Sequence, residues 1–331
     1  MPCLSAKEKI LVIHQGALGD LVLSFPALVL LKHRKKASVA LLCPSGSGKI
    51  ARELNVVDGH FPLESARFCS LFSKDITAFV KEFICNHDTI ILISFSAATE
   101  HHIRQNHAGR VHRISPRPPV DEETHVALHL IRQMEGYLQS QESKAGDVVS
   151  SCCDELVKQV QSRQENGFLV MHPGAGSPRK RWPVENFIRV ATIIKGMNFG
   201  KVVFLVGPAE SDLAPIIRTR SKGCFRIYEV CDPSHLMALV RQARCFIGND
   251  SGVTHLAAFM GIPTVAVFGP SSPKRWSPVG PATKVLRGVV DCPPCFEMAT
   301  VNCEDPQCMH AVSVDMVVRA AEELASRGRF L

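Results

Sequence analysis

The chain has 331 residues, 46% of them hydrophobic, and carries a formal net charge of +7, which suits two domains with sizeable cores. Its longest apolar candidate, residues 21–31, is interrupted by Ser24 and Pro26, and Lys7, Glu8 and Lys9 stand where a signal peptide would be building its apolar run, so a soluble, cytoplasmic chain is expected. The moderate positive charge favours phosphorylated ligands or an anionic membrane face, and two Tyr and two Trp offer too few stacking platforms for nucleic acid.

Residues 10–13 read as a strand, 14–20 as a glycine-bearing turn and 21–35 as a helix, in which Pro26 must sit in an early turn or impose a kink. The turn lacks GxGxxG spacing, which counts against a dinucleotide-dependent dehydrogenase. Residues 39–43 are the next expected strand. The Ser45-Gly46-Ser47-Gly48-Lys49-Ile50 run after it imitates a P-loop. Cys43, however, occupies the first glycine position and Ile50 replaces the Ser/Thr that would hold Mg²⁺, so ATP hydrolysis is rejected. Residues 89–95 form an almost wholly apolar strand, as in a parallel sheet covered on both faces. Behind it lie His101, His102, His107 and His112 among Arg104, Arg110 and Arg113. Three readings are open there: a metal site, poorly served by the 102-107-112 spacing; a basic wall for an acceptor; and an ordinary solvated helix. A helix is expected over 125–142. The polar stretch 143–166, with a short amphipathic piece at 154–161, marks an interdomain boundary.

The second half alternates more cleanly. Strands are expected at 168–171, 202–206, 226–230, 245–247 and 264–268, and helices near 184–196, 210–221, 234–242, 252–260 and 314–326. This rhythm implies right-handed crossovers and a doubly wound parallel sheet, with ligands at the carboxyl ends of the strands. Two stretches fall there. In FLVMHPGAGSPRKRW (168–182), a loop of small residues is followed by Arg179, Lys180 and Arg181, an arrangement that suggests phosphate or, more plainly, a solvated basic turn. In Gly-Asn-Asp-Ser-Gly (248–252), the start of a helix offers unpaired N–H groups and the positive end of its dipole to an anion. Asp250 suits the N-cap, with Ser251 and Thr254 adding hydroxyls. Glu210, one turn past a strand, is either a carboxylate for two ribose hydroxyls or a first-turn helix acid. Lys274-Arg275-Trp276 echoes Lys180-Arg181-Trp182 and suggests a second cationic wall over 271–279. Thirteen scattered Cys do not make a disulfide framework. Cys292, Cys295, Cys303 and Cys308 alone are dense enough for a zinc site or a local disulfide clip, with reduced thiols in a packed loop as the plain case.

Residues 16–20 (Gly-Ala-Leu-Gly-Asp), 173–177, 180–183, 250–257 and 268–270 resemble, in content and order, the motifs of glycosyltransferase family 9, the lipopolysaccharide heptosyltransferases. The resemblance implies an α/β protein of GT-B architecture, two Rossmann-like doubly wound parallel-sheet domains facing across a cleft. The acceptor domain would span 1–150 and the nucleotide-sugar domain 166–310, with the C-terminal helix (311–331) packing back on the first. It implies a transferase of lipopolysaccharide core biosynthesis that moves a heptose, with inversion, from ADP-L-glycero-β-D-manno-heptose to a lipid A–Kdo acceptor. No metal cofactor is required for the donor, and peripheral contact with the anionic inner membrane is expected. By the same resemblance Gly174, Ser177, Lys180, Glu210, Asp250, Ser251, Gly252, Thr254 and His255 hold the donor and Asp20 is the base, while Gly19, His101, His102 and Arg104 are candidate acceptor contacts. Asp20 has a plainer reading as a helix cap. The alternatives are a family member using another nucleotide sugar and a non-catalytic nucleotide-binding relative. Retention of an acid at position 20 argues against the second, because a mere binder has no use for a base.

Overall fold

A computed structural model of the chain describes residues 7–73, 75–138, 167–197, 200–298 and 303–327. The chain divides into two compact units, Met1–Cys152 and Cys153–Leu331. The division falls within 139–166, outside the described residues, as do the amphipathic piece expected at 154–161 and the end of the helix expected over 125–142. Among the described residues, no helix is long and apolar enough to cross a membrane.

The first unit is built on five parallel strands, β1 (Lys9–His14), β2 (Ser38–Cys43), β3 (Gly59–Pro62), β4 (Thr89–Ile93) and β5 (Arg110–Ile114), in the order β3-β2-β1-β4-β5. Ile10, Leu11, Val12 and Ile13 are fully buried, because helices cover both faces and every residue of a central strand must be apolar. Those helices are α1 (Leu18–Lys35), α2 (Ser45–Glu53), α3 (Ala78–Cys85), α4 (Ala97–Asn106) and α5 (Val126–Leu138). Val80, Ile84 and Ile103 close one face together with Phe68 and Leu71, while α1 packs beside α5. Helix α1 starts earlier than its apolar run suggests, so Asp20 lies inside its first turn. Pro26 lies well inside the helix, where the carbonyl of Val22 loses its usual N–H partner. The P-loop-like run is the helix α2, and the Ser45 N–H donates to both Glu64 carboxylate oxygens at 3.0 and 3.2 Å. A protein anion thus already meets the helix end where a phosphate would sit.

The second unit has six parallel strands, β6 (Phe168–His172), β7 (Val202–Val206), β8 (Arg226–Glu229), β9 (Ala243–Asn249), β10 (Thr264–Phe268) and β11 (Thr283–Arg287), in the order β11-β10-β9-β6-β7-β8. Its helices are α6 (Val184–Gly196), α7 (Leu213–Arg220), α8 (Pro233–Arg241), α9 (Gly252–Phe259), α10 (Pro273–Trp276), α11 (Gln307–His310) and α12 (Val314–Arg327). Strand order reverses between β1 and β4 in the first unit and between β6 and β9 in the second. At each reversal the loops diverge on opposite faces and leave a crevice at the carboxyl edge. The edge strands β3, β5 and β11 escape a reading by periodicity, since GHFP, RVHRI and TKVLR mix charge, proline and apolar residues along half-solvated ladders.

The position of α12 corrects the expectation that the last helix packs on the first domain. Its Val314, Val317, Val318, Ala320, Ala321 and Leu324 join Trp182, Phe187 and Phe204 in the core of the second unit, and it lies on α6, β9, β10 and β11. An amphipathic helix buries its apolar stripe on the nearest uncovered sheet face, and the second sheet supplies one within its own unit. Both tryptophans, Trp182 and Trp276, also belong to this unit, so their fluorescence reports its unfolding. Val317→Ala should therefore lower the urea midpoint seen by tryptophan fluorescence, by roughly 1–3 kcal/mol in stability. An unchanged midpoint would place the helix elsewhere.

Candidate active site

The crevice of the second sheet is framed by the two loops that leave β6 and β9, which pair with His172 opposite Gly248. Asn249, fully buried at the end of β9, ties them together. Its Oδ1 accepts the Trp182 N–H at 3.0 Å, and its Nδ2 donates to the Pro173 carbonyl at 2.8 Å. The Trp182 indole N–H donates to the Val312 carbonyl at 3.0 Å, and its ring meets Phe187 edge-on, so the segment carrying Arg179 to Trp182 is anchored at its far end in the core. Nothing in hydrophobic periodicity marks Asn249. Its signal is an amide at the last position of an otherwise apolar strand.

Beyond Asn249 the chain turns into α9. Ser251 is the N-cap, accepting the Thr254 N–H at 3.3 Å, and the Thr254 hydroxyl donates back to the Asn249 carbonyl at 2.6 Å. This corrects the expectation for Asp250, which is not the cap. Its carboxylate turns to the other loop, with Oδ2 2.8 Å from Lys180 Nζ and Oδ1 3.4 Å from His255 Nε2. Burial works to raise the Asp250 pKa, but the His255 hydrogen bond and the Lys180 charge outweigh it and hold the carboxyl well below the usual range. Lys180 also lies 3.9 Å from the centroid of the Phe296 ring, a contact the sequence does not signal. Gly252 opens α9, so the ammonium of Lys180 and the free N–H groups of a helix start converge on one crevice. The neighbouring arginines go elsewhere. Arg181 donates to the Ala209 carbonyl and pairs with Asp212, and Arg179 donates to the Cys295 sulfur.

Glu210 is buried, and its Oε1 accepts the Gly207 N–H at 2.8 Å, the geometry of the first-turn acid. Gly174 packs directly against it, and a Cβ there would stand 2.3 Å from the Glu210 carboxyl carbon. The glycine therefore admits Glu210, whereas Gly176, one residue before Ser177, faces open space. Nearby His172 donates from Nδ1 to the Leu205 carbonyl at 3.1 Å, and burial pushes its pKa down.

In the first unit Asp20 accepts the Ala17 N–H through Oδ2 at 3.2 Å, and Gly19 lies beside it in the same turn of α1. A Cβ on Gly16 would strike both His14 and Asp20, so the turn is closed on the carboxylate by a residue without a side chain. His14, at the end of β1, accepts the Gly16 N–H at Nδ1, and burial pushes its pKa down to about 4, leaving it neutral. The other first-unit candidates have partners within or beside α4. Arg104, two turns into α4, is paired with Glu100 and donates to the Val111 carbonyl near the start of β5, while His101 contacts Gln105 and His102 accepts from Asn106 at its carbonyl.

Two further expectations are corrected. Arg275 is buried against Glu297, with Nε 2.8 Å and Nη2 3.1 Å from the carboxylate, and the Trp276 indole N–H donates to the same group at 2.9 Å. Arg275, expected in a second cationic wall, is thus neutralised in a structural clamp. Cys292, Cys295, Cys303 and Cys308 are free thiols, and among the described residues no three His, Cys, Asp or Glu side chains come together to hold a metal. Neither the zinc site nor the disulfide clip is formed. Cys292 is exposed while Cys308 is buried, and burial pushes the Cys308 thiol up.

The bridging role of Asn249 has a direct test. Asn249→Ala leaves the Trp182 N–H and the Pro173 carbonyl buried without partners, at about 1–3 kcal/mol each. Urea unfolding followed by tryptophan fluorescence should show roughly 2–4 kcal/mol lost. A loss under about 0.5 kcal/mol would mean that the two loops hold without the amide.

The comparison with known proteins bears on this geometry. Residues 168–259 contain both loops, and residues 93–304 match the model of glycosyltransferase family 9 (heptosyltransferase). Lipooligosaccharide heptosyltransferase 2 of Campylobacter jejuni is 29% identical over 172 residues, 49% of this chain and 52% of that protein, so the chain spans about half the length of the curated relatives it matches. In fold it is similar to a family 9 glycosyl transferase from Veillonella parvula, with a TM-score of 0.73 at 19% identity over 97% of this chain and 98% of that one. It is also similar to the E. coli heptosyltransferase WaaC with ADP, with a TM-score of 0.69 at 14% identity over 96% and 99% of the two chains. The two parallel-sheet α/β units are those of the GT-B fold. Since the family match covers more than half of its length, the chain belongs to glycosyltransferase family 9, the heptosyltransferases.

Proposed function

We propose that the chain transfers a heptose from ADP-heptose to the inner core of lipopolysaccharide, a lipid A–Kdo acceptor, with inversion at the anomeric carbon. The observation that carries this reading is the convergence of the Lys180 ammonium and the start of α9 on the switch-point crevice of the second sheet. A diphosphate is the ligand such a site suits, because fixed positive charge stabilises it more as it departs than while it is still esterified. The family assignment and the resemblance to a heptosyltransferase crystallised with ADP support the nucleotide and the sugar.

In this mechanism Asp20 takes the proton from the acceptor hydroxyl as its oxygen attacks the anomeric carbon. The bond to the diphosphate breaks on the opposite face, and the negative charge of the leaving ADP meets Lys180, Ser251 and the N–H groups of Gly252 and Val253. Asp250 has a positioning role: paired with Lys180, it aims the ammonium along the loop and lowers the cost of keeping it half-buried. Asp20 keeps one oxygen on the Ala17 N–H, which fixes its rotamer and leaves the other oxygen for a proton. The acceptor would be met at the cytoplasmic side of the inner membrane, where lipid-linked cores are assembled.

Acceptor-dependent release of nucleoside diphosphate, measured across a panel of nucleotide sugars with Kdo–lipid A, tests the reading. ADP-heptose should be the best donor by at least tenfold, and a clear preference for another sugar would overturn it. Asp20→Asn can keep the bond to Ala17, so it should fold normally and bind ADP as before, yet lose about 10²–10⁴ in turnover. A variant that keeps more than a tenth of its turnover at saturating acceptor would return Asp20 to a capping role. Lys180→Met keeps an apolar stem near Phe296 but removes a charged contact of roughly 1.5–3 kcal/mol. Its affinity for ADP, read by calorimetry, should fall about tenfold to a hundredfold, and an unchanged value would show that the ammonium does not meet the diphosphate.

A further inference from the structure

The Arg275–Glu297 clamp and the loop that carries Cys295 have no part in the function proposed above, yet both bear on one residue, Phe296. The Cys295 and Phe296 N–H groups both donate to the Pro270 carbonyl, at 2.8 and 3.0 Å, and stitch the segment to the loop that leaves β10. Glu297, the next residue, accepts from Nε and Nη2 of buried Arg275 and from the Trp276 indole N–H, which ties it to α10. On the other side the Arg179 guanidinium donates to the Cys295 sulfur at 3.4 Å and links the segment to the basic loop itself. Contacts from three distant stretches thus fix residues 295–297, which have no helix or strand of their own.

What these contacts place is an aromatic face. The Phe296 ring centroid lies 3.9 Å from Lys180 Nζ, and Asp250 Oδ2 meets the same ammonium at 2.8 Å. The ring stays 37% exposed, so burial in the core is not what holds it. A ring and a carboxylate do different things to a cation. A second carboxylate beside Lys180 would hold the ammonium and cancel its charge, whereas the quadrupole of a ring face attracts the ammonium and leaves the charge in place.

We propose that Phe296 is a positioning residue for the donor: its ring seats the Lys180 ammonium for the diphosphate without neutralising it, and the Arg275–Glu297 clamp and the Cys295 contacts hold that ring in place. The inference rests on the reading that Lys180 meets the diphosphate. A four-carbon lysine stem otherwise samples many rotamers, and fixing it when a ligand arrives weakens binding. The ring restricts the stem beforehand. It also keeps water from one side of the ammonium, where screening would weaken the attraction to phosphate.

Ring fluorination tests this, because fluorine withdraws electron density from the ring face while changing its volume little. Phe296 is replaced by phenylalanines carrying one, two and three ring fluorines, and the affinity of the full chain for ADP is read by calorimetry. Affinity should fall stepwise along the series, to about a tenth at the third fluorine. Phe296→Leu should lose about as much, and Phe296→Tyr should stay within about threefold of the unsubstituted chain. In the Lys180→Met background the fluorine series should be flat. Equal ADP affinity across the series in the unsubstituted background would overturn the proposal, because a merely structural ring does not respond to its electrons. A slope that persists in Lys180→Met would overturn it too, since the ring would then act on ADP directly. Failure of the underlying reading looks different: Lys180→Met itself would bind ADP like the unsubstituted chain, and the role of Phe296 would fall with it. A full loss in Lys180→Met beside a flat fluorine series would count against Phe296 alone.

Discussion

The buried amide of Asn249 is the constraint on which the second unit's site depends. Two loops that leave neighbouring strands toward opposite faces of a sheet have no backbone ladder to hold them together. One side chain with a donor and an acceptor closes that gap, accepting from Trp182 and donating to Pro173. Both partners are buried, so the amide cannot be exchanged for an apolar residue without stranding polar groups in the interior. Trp182 carries the constraint into the core, through its indole bond to Val312 and its edge contact with Phe187.

The electrostatics follow from this clamp. Once the loops are fixed, Asp250 and Lys180 face each other at 2.8 Å, and each lowers the cost of keeping the other out of water. Asp250 lies deeper than Lys180, so the ammonium keeps the more open side and can share its charge with an incoming anion. Two neighbouring arginines are already matched. Arg181 is paired with Asp212 and Arg275 with Glu297. These pairings leave Lys180 as the cation on the more open side of its ion pair.

The two units share a topology and bring different side chains to it. In each, strand order reverses next to the first strand, and the motif-bearing loops lie at that reversal. In the second unit small residues and hydroxyls line the crevice. The first unit instead brings a carboxylate, a neutral imidazole and the exposed ring of Phe95 to the corresponding edge.

Much of this was legible in the amino-acid sequence. Central strands such as 202–206 and 264–268, and the helix over 184–196, are strongly periodic or uniformly apolar and were read at their observed bounds. The motif residues and their order were legible too, because glycine, serine and lysine at fixed spacing after a strand carry chemistry that does not depend on distant contacts. The partner of each side chain was not legible. Asp250 reads as a cap until Lys180, seventy residues away, is brought against it, and Glu210 reads equally as ligand or cap until Gly174 closes over it. Arg275 counts as surface charge until Glu297 neutralises it, and the last helix could have covered either sheet until its valines met α6 and β9. Local pattern records what a residue can do within a turn or two of backbone. Which of its options is realised depends on charge, burial and shape supplied by segments far along the chain, and only the tertiary structure brings those together.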